Sequence, residues 1–223
     1  MDKQYSILFW GKSPQNETFD DVVDSYTRLF EHMNTSSDII SDLMVKINGK
    51  YMLKQSSNLS NVVLSGVNKE HGNVFPNLGY RVSFKLSICK KTAYGSMLLG
   101  ATDQRVTNTF RLQLPYGIDL NDYFVRNELL SLFKAISQDY NWFWGALIDS
   151  EISKKHKISY ECNKPSSVYL MNYLEDSVIC NIKNNITDDL KRQYGIIIDN
   201  NILLFDFSSF NVEGVGEINR FLL

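Results

Sequence analysis

Between residues 80 and 114 apolar side chains return at every second position, and that period limits what the chain can become. Tyr80, Val82, Phe84, Leu86 and Ile88 alternate with Arg81, Ser83, Lys85, Ser87 and Cys89. Phe110, Leu112 and Leu114 alternate with Arg111 and Gln113. Successive side chains on a strand point to opposite faces, so each run predicts a strand with one dry and one wet face. With a middle strand over 94–101 and a third over 106–114, the stretch reads as a β-meander, ended by the breaker Pro115-Tyr116-Gly117.

The remaining segments build around that sheet. Residues 5–10, Tyr-Ser-Ile-Leu-Phe-Trp, are largely apolar on both alternating sets and predict a central strand covered on both faces. Gly11 ends it and 12–16 is a polar loop. Thr18, with Asp21 three residues on, starts a helix whose apolar face is Phe19, Val22, Val23, Tyr26, Leu29, Phe30 and Met33. The stretch 34–77 reads as irregular, with a short helix near 36–46 and much exposed loop. A second long helix is predicted at 123–139, a strand at 142–148, a solvated basic run at Lys154-Lys155-His156-Lys157 and a strand at 168–174. Thr187 caps a short helix closed by Gly195, Asn200-Asn201 joins a two-residue hairpin, and Asn211 caps a terminal helix. The expected fold class is α+β: mainly antiparallel sheet with flanking helices, one domain over 1–223, with candidate sub-lobe boundaries near 115–121 and 163–166.

Composition narrows function. Hydrophobic residues are 43% and aromatics 13% of 223 residues, enough for a sizeable core. Lys and Arg number 23 against 25 Asp and Glu, and the sequence pI is about 5.9. A duplex binder carries a clustered basic surface and a high pI, so nucleic acid is not the expected partner. The start Met1-Asp2-Lys3-Gln4-Tyr5 lacks the basic and apolar regions of a secretory signal, and the apolar runs are too short to span a bilayer. Cys89, Cys162 and Cys180 are odd in number and widely spaced, which points to reduced thiols and a cytoplasmic setting.

The residue types that carry chemistry are present without the spacing that chemistry needs. His32, His71 and His156 have no ligand partner at metal-binding spacing. Asp149, Glu151 and Lys154 have a nuclease-like order, but Glu151-Ile152-Ser153-Lys154 is one residue too long to place the last two on one strand face. Gly214-Val215-Gly216 follows no strand and makes no phosphate loop. Trp142, Phe143 and Trp144 are read as core rather than as a binding platform. Asp119, Asp122, Asp149, Glu151, Glu175 and Asp176 border helices and strands, and would form an acidic patch for a basic partner if they converge. The expectation is a protein without catalysis, cofactor or metal that acts by binding another macromolecule.

Several segments together resemble the immunity protein 52 family of bacterial polymorphic toxin systems. They are Tyr5-Ser-Ile-Leu-Phe-Trp10-Gly11 before an amphipathic helix, Leu78-Gly79-Tyr80 leading into the alternating strand, Asn108-Thr-Phe-Arg-Leu-Gln-Leu-Pro115, and Val168-Tyr-Leu-Met-Asn-Tyr173-Leu174 before a hairpin and terminal helix. The loop Lys12-Ser13-Pro14 departs from the family's Tyr-Trp-Gly-Pro-Arg-like opening. The resemblance implies a non-enzymatic cytoplasmic antitoxin that binds a cognate toxin, often a restriction-endonuclease-like domain delivered by contact-dependent or type VI secretion. The expected contact residues are Asp119, Asp122 and Tyr123 before the second long helix, with Asp149 and Glu151 after the following strand. The rival reading is a non-catalytic adaptor or scaffold module of a secretion or phage locus.

Overall fold

Strand β1 (Tyr5–Gly11) is the first element of the chain and lies in the middle of its sheet, so the two halves of the sequence build outward from it on opposite sides. The computed structural model describes residues 4–12, 17–54, 58–156, 158–161, 164–206 and 212–222. After β1 come α1 (Phe19–Thr35), β2 (Ile40–Ile47), β3 (Lys50–Leu53), α2 (Leu59–Ser65), β4 (Val67–Glu70), β5 (Asn73–Ile88), β6 (Lys91–Ala101) and β7 (Asn108–Gln113). Helix α3 (Tyr123–Gln138) carries the chain across to β8 (Trp142–Asp149), α4 (Ser150–Lys155) and the small ribbon β9 (Tyr160–Glu161) with β10 (Lys164–Pro165). Then follow β11 (Met171–Leu174), α5 (Asp176–Asn185), α6 (Asp188–Tyr194), β12 (Ile197–Asp199), β13 (Ile202–Leu204) and α7 (Val212–Leu222). The main sheet runs β12-β13-β11-β8-β1-β7-β6-β5-β2-β3, with β4 branching from β5. Neighbouring strands are antiparallel. The α+β class and the antiparallel sheet are as the alternation predicts.

Register decides which side chains share a face. Phe9 faces Phe110 on β7 and Gly145 on β8, Phe110 faces Met97 on β6, and Phe84 on β5 faces Gly95. A chain of rings therefore crosses this inner face. Phe133 of α3 lies 4.8 Å from Phe9, Phe9 lies 6.3 Å from Phe110, Phe110 lies 5.9 Å from Phe84, and Phe84 lies 5.6 Å from Phe30 of α1. Helices α1 and α3 cover this face because each presents an apolar stripe: Val22, Tyr26, Leu29, Phe30 and Met33 on one, Leu129, Leu132, Phe133 and Ile136 on the other. The Tyr26 hydroxyl, fully buried, donates to the Tyr80 carbonyl at 2.5 Å and fixes α1 on β5. Thr18 and Asp21 form the complete capping box that the sequence shows in outline.

The outer face is covered over half its width. Helices α4, α5 and α7 pack together behind Trp144, Ala146, Ile148, Leu174 and Leu203, all buried. Trp10 stacks on Trp144 with centroids 4.2 Å apart. The other half, formed by β7, β6, β5, β2 and β3, carries mostly exposed or half-buried residues, with Leu98 of β6 buried among them.

Several expectations need correction. On β1 only the inner set is fully buried, and Ser6, Leu8 and Trp10 are half-buried, because the strand lies at the boundary of the covered half. The stretch 34–77 is largely ordered strand and helix, with no helix at 36–46. Ile40 and Leu43, three residues apart, imitate helical spacing because a bulge between Ser41 and Met44, with Asp42 at φ 53°, breaks the alternation of β2. Lys154 and Lys155 form the last turn of α4 rather than a loop, where the helix dipole favours cations. The strand predicted at 168–174 spans only Met171–Leu174. Buried Asn172 accepts from the Tyr169 N–H and donates to its carbonyl, turning the chain ahead of it. Helix α5, unassigned from sequence, buries Val178, Ile179 and Ile182. Thr187, the left-handed Gly195 at φ 56° and Asn200 at φ 51° end or turn their elements as expected. The Asn211 cap, the loop at 13–16 and Cys162 lie outside the described residues.

Two glycines are required by the ring chain. A Cβ on Gly95 would sit 2.1 Å from Phe84 Cζ, and one on Gly145 would sit 2.2 Å from Phe9 Cε1. Gly95→Ala and Gly145→Ala should each destabilise the fold by about 1–3 kcal/mol through overpacking, while Ser96→Ala on the outer face should stay within about 0.5 kcal/mol. Urea unfolding of the three variants checks this, and two glycine variants as stable as the parent would contradict it.

Candidate protein-binding surface

One edge of the sheet gathers the start of β1, the exits of β7 and β8, and the β5–β6 turn. Tyr5 is paired in register with Asp149, and the Leu114 N–H donates to the Tyr5 carbonyl at 3.0 Å. Segment 115–122 leaves from here to start α3. The acids near this edge reveal themselves through the groups they act on. The Tyr5 phenol is pushed up to about 12, first by burial and then by the negative charge of Asp149, Asp119 and Glu151. The Cys89 thiol at the β5–β6 turn is raised, first by burial and then by Asp122. Four of the six acids noted in the sequence thus share one edge. Glu175 and Asp176 lie at the opposite edge, where Glu175 holds Lys12 at 2.7 Å and Asp176 accepts from Asn201 at 2.7 Å.

The five predicted contact residues differ in what they can offer a partner. Asp122 caps α3, accepting from the N–H groups of Phe124 and Val125 at 2.8 and 3.2 Å, and remains exposed. Asp119 accepts from the Asn121 N–H at 2.9 Å and is exposed. Tyr123 is 69% exposed, its ring 5.6 Å from the Arg126 guanidinium carbon. Glu151 is exposed in the first turn of α4. Asp149 is 2% exposed and caps α4 through the Glu151 N–H at 2.7 Å, so its contribution to the surface is its field and the placing of Glu151. Glu151 and Lys154 lie on a helix, not along a nuclease-type strand.

The sequence reading missed two neighbours. Tyr116 is 66% and Phe124 54% exposed, so with Tyr123 three aromatic rings are exposed on the segment that also carries Asp119 and Asp122. The signal lay in the run Pro115-Tyr116-Gly117, which read only as a strand breaker. Beside Tyr123 an apolar groove of about 450 Å³ runs between α3 and the β12–β13 hairpin, lined by Arg126, Leu130, Ile197 and Leu204 among others.

Other candidates resolve into structure. Trp142 and Trp144 are 3% and 1% exposed and belong to the core. His32 Nδ1 lies 2.6 Å from Asp139 Oδ1, and burial raises the Asp139 carboxyl while His32 opposes the rise. Gly214 and Gly216 lie within α7. Among the described residues no group of three His, Cys, Asp or Glu side chains is placed to hold a metal, and no helix is long and apolar enough to cross a membrane.

No protein-family model matches the chain, and no curated protein matches it. Among solved structures it is similar to the Pseudomonas aeruginosa T6SS protein PA0821, with a TM-score of 0.56 and 10% identity over 99% of this chain and 75% of that one. That likeness is one of fold. A structure of the toxic C-terminal tip of CdiA from Pseudomonas aeruginosa in complex with immune protein aligns at a TM-score of 0.37 and 15% identity, over 66% of this chain and 86% of that one, which is too low to define a shared fold.

Buried phenols give the fold an alkaline signature. Tyr5 and Tyr169 are raised to about 12, and Tyr26 and Tyr140 are raised further, all chiefly by burial. A raised phenol stays protonated in the folded state where the unfolded chain has ionised. Its stabilising contribution is therefore complete below the ordinary value of 10.0 and is lost as pH rises toward 12. Stability should fall over that window. Spectrophotometric titration should show Tyr5, Tyr26, Tyr140 and Tyr169 ionising only as the fold is lost. One reversible step for every tyrosine would contradict the assignment.

Proposed function

We propose that this chain is an immunity protein: a non-catalytic binder that neutralises a toxin by stoichiometric occlusion. The observation that carries the reading is the set of exposed carboxylates Asp119, Asp122 and Glu151 and exposed rings Tyr116, Tyr123 and Phe124 on the segments that leave one edge of the sheet. Exposed aromatic rings are the anchors that supply most binding energy in protein interfaces. Carboxylates around them steer a basic partner and set the orientation of encounter. The segments that resemble the immunity protein 52 family support the same reading, as does a fold like that of a protein named for the T6SS. A nuclease toxin fits best, because a cleft that holds phosphates is basic and an acidic, ring-bearing edge complements it. The protein would then act in the cytoplasm of the cell it protects.

The test is co-expression with the toxin encoded beside it. Growth should be rescued and a stable complex recovered; rescue with no complex at micromolar concentrations sinks the binding mechanism. Asp122→Asn keeps the helix cap while removing its charge. The Asp119→Asn, Asp122→Asn, Glu151→Gln triple variant should therefore fold normally, associate about tenfold more slowly at low salt and lose salt dependence. Tyr123→Ala should instead raise the dissociation rate by about tenfold or more.

A further inference from the structure

The charged side chains on the uncovered half of the outer sheet face are mainly positive, with Asp42 of β2 at its rim. The register aligns Met44, Lys85, Tyr94, Gln113 and Ser6 in one cross-strand row, Ser83, Ser96, Arg111 and Leu8 in the next, and Arg81, Leu98, Thr109 and Trp10 in a third. Lys46 stands at the far side, where its ammonium and that of Lys85 lie 5.8 and 4.9 Å from the Tyr51 ring centre. Arg81, Arg111, Lys46 and Tyr94 are exposed. Among the described residues no carboxylate pairs with Arg81, Lys85, Arg111 or Lys46, whereas Lys12, Lys54, Arg105, Lys134, Lys191 and Arg192 all hold one. Where β7 and β1 meet the covered half, Arg111 borders a groove of about 350 Å³ with Ser6, Gln113, Ser150 and Ser153. A fixed guanidinium fork beside hydroxyls suits a carboxylate.

We propose that this open sheet face docks the acidic surface of a second protein, with Arg111 receiving a carboxylate in the groove beside α4. The inference rests on residues separate from the acidic edge and stands whether or not the partner there is a toxin. Cations with no carboxylate partner among the described residues, beside the rings of Tyr51 and Tyr94, complement an acidic protein surface. A nucleic acid fits less well. Asp42, which accepts from Ser87 of this face, lies at the rim with Asp119 and Glu151 at the adjoining edge, and these would repel a continuous phosphate chain.

The test titrates the isotope-labelled full chain, at low salt, with an octaglutamate peptide and separately with an oligothymidylate of matched charge. The peptide should shift backbone signals on β5, β6 and β7 and leave those of Lys183, Lys191 and Arg192 unmoved. Arg81→Glu with Arg111→Glu should weaken that binding by about tenfold or more, and the Arg81→Gln, Arg111→Gln pair, gentler on the fold, should weaken it in the same direction. Peptide shifts spread equally over the other basic residues, no shift on the open face, or tighter binding of the oligothymidylate than of the peptide would each overturn the proposal.

Discussion

The structure depends on the close approach of Phe9 to Gly145 and of Phe84 to Gly95. In each pair an aromatic ring lies flat over a glycine on the neighbouring strand, filling the space a Cβ would take. Those two placements let Phe110 bridge Phe9 and Phe84, so that β1, β7, β6 and β5 share one layer of rings instead of separate patches. Helices α1 and α3 then have a single surface to cover, and each contributes a ring to it, Phe30 and Phe133. Aromatic pairs of this kind add about 0.5–1.5 kcal/mol each beyond their buried area, and core packing transmits a displacement in one to its neighbours.

That core also places the proposed binding edge. Because β1 is central, its start lies between the exits of β7 and β8, and the two helices that follow those exits begin on the same edge. Helices that begin there need N-caps, and Asp122 and Asp149 supply them. The negative charge of the edge is thus partly a consequence of helix capping. The caps hold carboxylates in fixed positions at positive helix ends, and only Asp122 of the two is left accessible. A surface built this way is pre-organised, which lowers the entropy a partner must overcome on docking.

The near-zero net charge of −2 conceals an uneven surface. Asp119, Asp122 and Glu151 lie exposed at one edge, with Lys91 and Arg126 nearby, while Arg81, Lys85 and Arg111, which have no carboxylate partner among the described residues, stand on the open face next to it. Two adjoining regions of opposite sign define an orientation more sharply than either alone, because a partner turned the wrong way meets like charge in both. Average composition cannot reveal such an arrangement, since pairing sheet rows across β5, β6 and β7 is what collects Arg81, Lys85 and Arg111.

Local signals were legible wherever one segment settles its own conformation. The alternation at 80–88, the Thr18–Asp21 cap, the Gly195 stop and the Asn200 turn all follow from side-chain period and local hydrogen bonding, and the α+β class follows from their order. The proposed contact residues were legible as exposed groups in part: Asp119, Asp122, Tyr123 and Glu151 lie exposed near one end of the sheet, but nothing local told that Asp149 would be buried as a cap or that Tyr116 and Phe124 would stand out in solvent. The strand β2 was hidden by its own bulge, which makes its apolar spacing look helical. On β5 and β7 the sequence determined which residues are wet and which dry. Only the tertiary structure decided that the wet faces of β5, β6 and β7 join into one uncovered surface while that of β8 is buried under α4, α5 and α7, because strand order and helix placement come from contacts between residues far apart in the chain.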